Sequence, residues 1–152
     1  MKTFVTIGIP THRRPKFLKR AINKLLKKKN NFKIIVSVDG IDETYNEYVS
    51  LEKKYKRFKN LIFFYHKKNI GSINNFFFLR KACKTKYFMW LADDDLIDVD
   101  TINNLFQKIL KSKDICTVVP YWQLHNYNKK KLIKPSFFDS DNIFLRVLKY
   151  SY

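Results

Sequence analysis

The sequence predicts an α/β fold, with a Rossmann-like, mostly parallel β-sheet flanked by helices. Short runs of β-branched and aromatic residues alternate with longer segments whose apolar residues recur every three or four positions. The 152 residues suit one domain, 45% of them are apolar, and only three glycines and four prolines occur. Strands that alternate with helices pair in parallel, because each helix returns the chain to the same end of the sheet.

The first half of the chain predicts three strands separated by two helices. Strand one runs from Phe4 to Pro10, and Pro15 suits the first turn of a helix that continues to residue 29. The apolar stripe of this helix is Phe17, Leu18, Ala21, Ile22, Leu25 and Leu26. A second strand at 33–40, a helix at 43–57 and a third strand at 61–65 follow.

The second half continues the alternation. A turn at 69–71 precedes a helix that runs to about Lys84, with Ser72 as its expected cap and the three phenylalanines at 76–78 expected in the core. Strand four spans 87–92 and reads as the most buried strand. Asp100 is the expected cap of the next helix, whose apolar stripe is Ile102, Leu105, Phe106 and Ile109. A fifth strand is expected within 114–122, a turn or hairpin at 125–134, and a short helix at 142–150.

Composition narrows the classes of protein. The net charge is +18, but the lysines are spread over every predicted helix and loop, which favours solvated faces over a dedicated nucleic-acid surface. Weak attraction to an anionic membrane is consistent with this charge. No apolar run reaches the ~20 residues that span a bilayer. Cys83 and Cys116 lack metal-ligand spacing, so two free thiols in a reducing cytoplasm are expected.

Three aspartates, Asp93, Asp94 and Asp95, directly follow predicted strand four. Adjacent carboxylates repel one another and need a cation or protons in a crevice that holds little water. Mg²⁺ and Mn²⁺ prefer oxygen ligands and are commonly shared between carboxylates and substrate phosphates. Taken alone, the motif fits a metal–diphosphate site and a solvated acidic turn equally well.

Other polar residues are predicted at the same edge of the sheet. Asp39 ends strand two, and THRRP places His12, Arg13 and Arg14 after strand one. In open α/β sheets, ligands bind at the carboxyl ends of the strands. A carboxylate can accept a hydrogen bond from a nucleobase N–H, arginine suits phosphate oxygens, and histidine can stack on a base. This convergence favours a nucleotide site, although Asp39–Gly40 alone would be a plain turn.

The segments IPTHRRPKFLKRAI, IIVSVDG, NIGSINNF and KYFMWLADDDLIDVDTI, in that order over residues 4 to about 110, resemble the family 2 nucleotide-sugar glycosyltransferases. The resemblance implies the GT-A fold, a nucleotide-sugar donor with UDP-sugars favoured, Mn²⁺ or Mg²⁺ as cofactor, and a saccharide or lipid-linked acceptor. It implies no nucleic-acid partner. It also implies synthesis of a cell-surface polysaccharide or glycolipid, in the cytoplasm or at the inner face of the membrane.

The resemblance also assigns roles to residues. Pro10, Thr11 and Arg14 match the loop that contacts the nucleoside, and His12 stands where the family usually has a stacking tyrosine. Asp39 matches the acid that pairs with the base, and Asp93 the aspartate that contacts ribose. Asp94, with Asp95 beside it, matches the metal ligand. The element that shapes the donor pocket is matched by Asn69, Gly71 and Asn75.

Several departures from the family pattern bear on function. Arg13 replaces an asparagine, Val38 replaces the first of two acids, and Ala92 occupies the first position of the aspartate motif. Residues 1–120 are expected to form a donor-binding core and 121–152 a short remnant of the acceptor half, so the chain reads as truncated relative to the family. No catalytic base can be nominated. An active transferase, a donor-binding remnant without turnover and, more distantly, a basic nucleic-acid-binding domain are the functional alternatives.

Overall fold

The computed structural model describes residues 5–28 and 31–111 in full, together with the backbone of residues 122–126 and 129–133. The chain divides into two compact units, residues 1–108 and residues 109–152. In the described part of the chain, no helix is both long and apolar enough to cross a bilayer.

Four parallel strands alternate with four helices, as the sequence predicts. The strands are β1 (Val5–Thr11), β2 (Phe32–Val38), β3 (Leu61–Tyr65) and β4 (Tyr87–Trp90). The helices are α1 (Pro15–Leu26), α2 (Tyr45–Tyr55), α3 (Ser72–Ala82) and α4 (Val99–Lys111). The strand order is β3-β2-β1-β4 and every pairing is parallel, which confirms the predicted sheet.

The register brings three strand ends to one edge of the sheet. Thr11 pairs with Val38 and Val38 pairs with Tyr65, so β1, β2 and β3 end level with one another. β4 is shorter, and its last residue, Trp90, pairs with Gly8. The chain that leaves β4 therefore passes beside the final residues of β1, which places the aspartate motif next to Thr11.

The core lies between the sheet and the apolar stripes of the helices. In α1 the buried residues include Leu18, Ile22 and Leu25, as expected, but Phe17 is 44% exposed and does not belong to the core. The Arg20 guanidinium lies over the Phe17 ring, 5.5 Å from its centroid. The prediction failed because Phe17 stands at the margin of the stripe, where a cation–π contact with the next turn replaces burial.

Helix α3 differs from prediction at its start. Gly71, with φ at 83°, is the residue before the first helical turn, and Ser72 is the first helical residue rather than the cap. Glycine adopts this backbone conformation without the steric cost that a Cβ would bring. The expected serine cap is therefore wrong.

The phenylalanines of α3 were expected in the core, and this too is wrong. Phe77 is 61% exposed, Phe76 is also exposed and Phe78 is half-buried, whereas Asn75 and Leu79 are buried. The helix packs on β1 and β2 through the face that carries Asn75 and Leu79. Phe76, Phe77 and Trp90, with Ser72 and Ile73, line an open apolar groove instead.

Strand β4 was expected to be the most buried strand, yet its residues are half-buried or exposed. Among the described strands it is an edge strand, because only β1 pairs with it. An edge strand lacks a neighbour on one side, so the apolar run of YFMW does not imply burial on both faces.

Helix α4 begins two residues earlier than predicted, at Val99 instead of Thr101, and is capped by a different aspartate. The Asp98 carboxylate accepts hydrogen bonds from the Asp100 N–H and the Thr101 hydroxyl, at 3.3 and 2.6 Å. Asp100, the expected cap, lies in the first turn and pairs with Lys28. Of the apolar stripe, Ile102 is buried, and Leu105 and Phe106 are partly buried against the core.

The second unit contains an antiparallel hairpin of β5 (Trp122–Asn126) and β6 (Lys129–Ile133), in which Trp122 pairs with Ile133. This agrees with the hairpin predicted near residues 125–134. The predicted strand within 114–122, apart from Trp122, and the predicted helix at 142–150 lie outside the described residues.

Candidate functional site

The buried aspartate of the motif is Asp93, which is 4% exposed. Its Oδ2 accepts a hydrogen bond from the Thr11 hydroxyl at 2.7 Å, and its Oδ1 lies 3.3 Å from a guanidinium nitrogen of Arg14. Burial raises the pKa of the Asp93 carboxyl, and the Thr11 hydrogen bond and the charge of Arg14 offset that rise only in part. β1 and the loop after β4 thus meet at a carboxylate whose orientation is fixed.

A hydrogen-bond chain supports this carboxylate from α2. The Arg14 backbone N–H donates to the Tyr48 hydroxyl at 2.9 Å, and the Tyr48 and Thr11 hydroxyl oxygens are 3.0 Å apart. Thr11 has a single hydroxyl hydrogen, which it donates to Asp93. Tyr48 must therefore donate to Thr11, and the chain runs in one direction from the Arg14 N–H through Tyr48 and Thr11 to Oδ2 of Asp93.

Asp94 faces solvent and is held by two arginines of the first helical region. Its carboxylate accepts a hydrogen bond from Arg14 at 2.7 Å, and its backbone carbonyl accepts one from Arg20 at 2.8 Å. Asp95 is also exposed as a residue, but its carboxyl is partly shielded from water, and this desolvation, followed by the nearby charge of Asp94, raises the pKa of Asp95. The exposed part of the motif is therefore an acidic surface that arginine charge already partly neutralises.

Asp39 lies at the end of β2, at the same edge of the sheet, and is 3% exposed. Its Oδ1 accepts the Ile70 N–H at 2.7 Å, which ties β2 to the loop before α3. His12 Nδ1 lies 2.6 Å from the Asp39 backbone carbonyl, and its Nε2 lies 3.3 Å from the Asn69 amide nitrogen. Because a carbonyl only accepts, Nδ1 carries the proton and Nε2 accepts from Asn69.

Two glycines shape this edge. Gly40 has φ at 99°, and a Cβ there would lie 2.9 Å from the Asn69 backbone nitrogen, so the two loops touch where Gly40 has no side chain. Asn69 Oδ1 accepts the Gly71 N–H at 2.8 Å, which closes the turn before α3.

The buried Asn75 donates from its amide nitrogen to the Ser37 carbonyl at 3.1 Å. Its Oδ1 is buried without a hydrogen-bond partner among the described residues. Asn75 thus joins α3 to β2 beneath the loop that carries Asn69 and Gly71. Pro10 lies in β1 opposite Ser37 and directly precedes Thr11.

The predicted site residues therefore fall into two adjoining groups. One group gathers around Asp93, namely Thr11, Arg14, Asp94 and Asp95. The other gathers around Asp39, namely His12, Asn69, Gly71 and Asn75. The loop after β1 belongs to both, since His12 contacts the Asp39 group and Thr11 and Arg14 contact Asp93.

Sequence reasoning missed two residues that build the site, and a third, Asp42, that lies beside it, 3.9 Å from His12. Tyr48 supplies the central hydroxyl of the hydrogen-bond chain, and Arg20 fixes the carbonyl of Asp94. Asp42 pairs with Arg13, and hydrogen bonds from the Thr44 hydroxyl and other nearby donors lower the pKa of Asp42. Tyr48 and Arg20 lie on helices among residues of the same types, so no local motif distinguishes them.

The donor set around Asp94 suits a hard divalent cation that is shared with a ligand. In the described part of the chain, no three His, Cys, Asp or Glu side chains converge to hold a metal ion by themselves. Mg²⁺ typically takes one or two carboxylates together with substrate phosphates and water. The exposed carboxylates of Asp94 and Asp95 fit such a shared site, whereas Asp93 is committed to Thr11 and Arg14.

The sequence profile of glycosyl transferase family 2 matches residues 6–150. The chain therefore belongs to glycosyl transferase family 2, which confirms the family resemblance of its motifs. It is 28% identical over 148 residues to an uncharacterized glycosyltransferase of Rickettsia felis, and the match covers 97% of this chain and 24% of that protein.

Solved structures show the same fold. S. aureus TarS 1–349 in complex with UDP superposes with a TM-score of 0.62 at 20% identity, over 73% of this chain and 32% of TarS 1–349. The mannosyltransferase PcManGT of Pyrobaculum calidifontis, in complex with GDP-Man and Mn²⁺, gives a TM-score of 0.56 at 12% identity, over 70% of this chain and 32% of the other. The fold is thus GT-A-like, and the chain spans about a third of each solved chain.

Proposed function

We propose that this chain binds a nucleoside diphosphate sugar, a UDP-sugar first, as the donor-binding part of a glycosyltransferase. The observation that carries the proposal is the meeting of Asp39, Arg14, Asp93 and Asp94 at the carboxyl edge of one parallel sheet. TarS with UDP and PcManGT with GDP-Man share this fold, and both ligands contain a nucleoside diphosphate.

Each residue receives a role from its surroundings. Asp39 has one carboxylate oxygen engaged by Ile70, and its other oxygen would accept the ring N–H of the base. His12, its tautomer set by the Asp39 carbonyl, would present its ring face to the base. Asp93, aligned by Thr11, would accept a hydrogen bond from a ribose hydroxyl. Asn69, Gly71 and Asn75 would hold the loop that forms the floor of the pocket, and Pro10 directs the chain into it.

Asp94, with Asp95 beside it, would hold Mn²⁺ or Mg²⁺ together with the donor diphosphate. When bound, such a cation supplies positive charge that stabilises a departing nucleoside diphosphate. Arg14 lies beside these carboxylates and can donate two parallel hydrogen bonds to phosphate oxygens.

Calorimetric titration with UDP and with GDP, each with and without Mn²⁺, tests the donor site. We expect UDP to bind in a Mn²⁺-dependent manner and Asp39→Asn to weaken binding, because the amide places a donor against the N–H of the base. Asp94→Ala should remove the Mn²⁺ dependence. Asp100→Ala is the matched control, since Asp100 is an exposed aspartate that pairs with Lys28. Absence of binding by both UDP and GDP under all of these conditions would reject the proposal.

Transfer is a separate question from binding. Inverting transfer needs a base that deprotonates the acceptor hydroxyl, and Asp139 and Asp141, the last acids of the sequence, lie outside the described residues. Hydrolysis of UDP-sugars by the purified chain, measured as release of UDP, distinguishes an active transferase from a donor-binding remnant. A protein that binds UDP but forms no UDP from any UDP-sugar is a donor-binding remnant.

We further propose that the acceptor is a saccharide or lipid-linked saccharide of a cell-surface polymer or glycolipid, used at the cytoplasmic face of the membrane. The acceptor class is supported by membership of glycosyl transferase family 2. The membrane contact is supported by the net charge of +18, which favours peripheral contact with anionic lipid. Co-sedimentation with vesicles of phosphatidylglycerol, compared with phosphatidylcholine, tests the membrane contact. Equal partition to both vesicles would contradict it.

A further inference from the structure

The Arg14 guanidinium bridges the two aspartates on which donor binding depends. One of its nitrogens lies 2.7 Å from an oxygen of Asp94 and 3.3 Å from an oxygen of Asp93. A positive charge thus stands between the two carboxylates, where a divalent cation shared by this motif would also be attracted. The family resemblance suggests that Arg14 contacts the nucleoside but gives no reason for this pairing.

We propose that Arg14 is a resident counterion that exchanges between the aspartates and the donor diphosphate. Without ligand, Arg14 neutralises Asp93 and Asp94 and opposes the binding of a divalent cation alone. When the cation arrives with a nucleoside diphosphate, the guanidinium passes to the phosphate oxygens and leaves Asp94 to the cation. This inference rests on the proposed donor site. It adds that Arg14 pairs with the aspartates before the donor binds and with the diphosphate afterwards.

The backbone and side chain of Arg14 differ in a way that permits the exchange. Its backbone N–H is fixed by the Tyr48 hydroxyl, and its carbonyl accepts the Leu18 N–H at the start of α1. Its side chain is 51% exposed and Asp94 is 47% exposed. An ion pair this open to water is only weakly stabilising, so the guanidinium can be drawn away by a stronger acceptor.

Charge balance makes the exchange reciprocal. A divalent cation next to Asp94 repels a guanidinium that is also bound there, whereas a diphosphate attracts both. The cation and the nucleotide should therefore bind with positive coupling, and each should raise the affinity for the other by the same factor. If Arg14 stayed on the aspartates, the coupling between cation and nucleotide would be the same whichever residue stood at position 14.

Mn²⁺ alone is the first probe, with free Mn²⁺ measured by electron paramagnetic resonance. We expect weak binding to the wild type and about fivefold tighter binding to Arg14→Gln, the factor that corresponds to ~1 kcal/mol. Arg14→Lys keeps a cation at this position and should bind Mn²⁺ as weakly as the wild type. Arg13→Gln is the matched control for loss of charge, because Arg13 pairs with Asp42 and Glu43 instead.

UDP is the second probe. The ratio of Mn²⁺ affinities with and without saturating UDP should be smaller in Arg14→Gln than in the wild type, and UDP itself should bind the variant less tightly. Circular dichroism and thermal melting check that each variant is folded. Unchanged or weaker Mn²⁺ binding by folded Arg14→Gln, or absence of Mn²⁺ binding by every protein, would overturn the inference. If the wild type binds UDP but the variants do not differ as expected, the exchange is wrong and the donor site stands. If the wild type binds no nucleotide, the proposed function is wrong as well.

Discussion

The Tyr48 hydroxyl accepts the Arg14 N–H and donates to Thr11, so one side chain of α2 aligns both the arginine and the buried aspartate. Tyr48→Phe keeps the ring and removes this link. We expect a loss of about 1–3 kcal/mol in the free energy of unfolding, because the Arg14 N–H and Thr11 each lose a partner. UDP affinity should fall roughly tenfold, as for groups that orient ligand-binding residues. Denaturant unfolding and calorimetry measure the two effects.

Tyr55→Phe is the matched control for this substitution. Tyr55 is also a buried tyrosine of α2, but its hydroxyl donates to Asn23 at 2.7 Å, and neither residue belongs to the candidate site. Removal of the Tyr55 hydroxyl should lower the free energy of unfolding by about 1 kcal/mol and leave UDP affinity unchanged. Equal effects of the two variants on UDP affinity would show that Tyr48 has no special role in binding.

Asp93 is a buried carboxylate, and its charge lowers the stability of the folded state. Burial raises its pKa in the folded protein, so ionisation at neutral pH disfavours the folded state relative to a neutral side chain. Asp93→Asn should therefore melt at a higher temperature than the wild type at pH 7. The difference should shrink as the pH falls through the raised pKa of the folded state and level off below the unfolded pKa of about 3.9, where both states are protonated. Thermal melts at stepped pH, without nucleotide or metal, test this, and a lower melting temperature for the variant at pH 7 would contradict it.

Helix α3 offers a comparison between its two faces. Leu79 is fully buried and would lie 3.2 Å from a Cβ built on Gly8 of β1, whereas Phe77 is exposed. Leu79→Ala should cost about 2–5 kcal/mol in the free energy of unfolding, because it opens a cavity in the core. Phe77→Ser should change stability by no more than about 0.5 kcal/mol. Urea unfolding of both variants measures this, and a large loss for Phe77→Ser would place that ring in a packed interface.

The order and type of the elements in the first unit followed from sequence, whereas their exposure did not. Hydrophobic periodicity located α1 and α4, and β-branched runs located β1, β2 and β3, because these signals are local. The apolar runs FFF and YFMW were assigned to the core because bulky apolar residues are usually buried. Their exposure depends on the strand order, which leaves β4 at an edge among the described strands, and strand order is not a local property.

The site was predictable where the topology alone determines proximity. Parallel strands bring Thr11, Asp39 and Asp93 to one edge, so residues at strand ends could be grouped from the sequence. Contacts made by helices could not be predicted. Tyr48 and Arg20 reach the site through the packing of α2 and α1 against the sheet, and sequence spacing does not encode the distance from a helix to a loop that lies 34 to 74 residues away.

The contacts described above for the candidate site all lie within the first unit of the chain. Asp95 is the last residue of the candidate site in the sequence, and the unit continues to residue 108. A chain that ends after α4, at Lys111, should therefore bind UDP with Mn²⁺ within about a factor of two of the full chain, or ~0.4 kcal/mol. Calorimetry on the two chains, after circular dichroism confirms that the shorter one is folded, measures this. Loss of binding in the folded shorter chain would show that residues 112–152 contribute to the donor site.

The position of β1 at the centre of the sheet has a consequence for how the protein is made. One edge of β1 pairs with β2, which begins at residue 32. The other edge pairs with β4, in which Tyr87 lies opposite Val5, so it can pair only after β4 has been synthesised. At a synthesis rate of about 5–20 residues per second, that second edge stays open for several seconds on the ribosome. Asp93 reaches Thr11 only when β4 is in place, so the proposed nucleotide pocket forms in the same step that completes the sheet. A nucleotide bound in that proposed pocket would therefore stabilise the finished sheet but could not guide its early assembly.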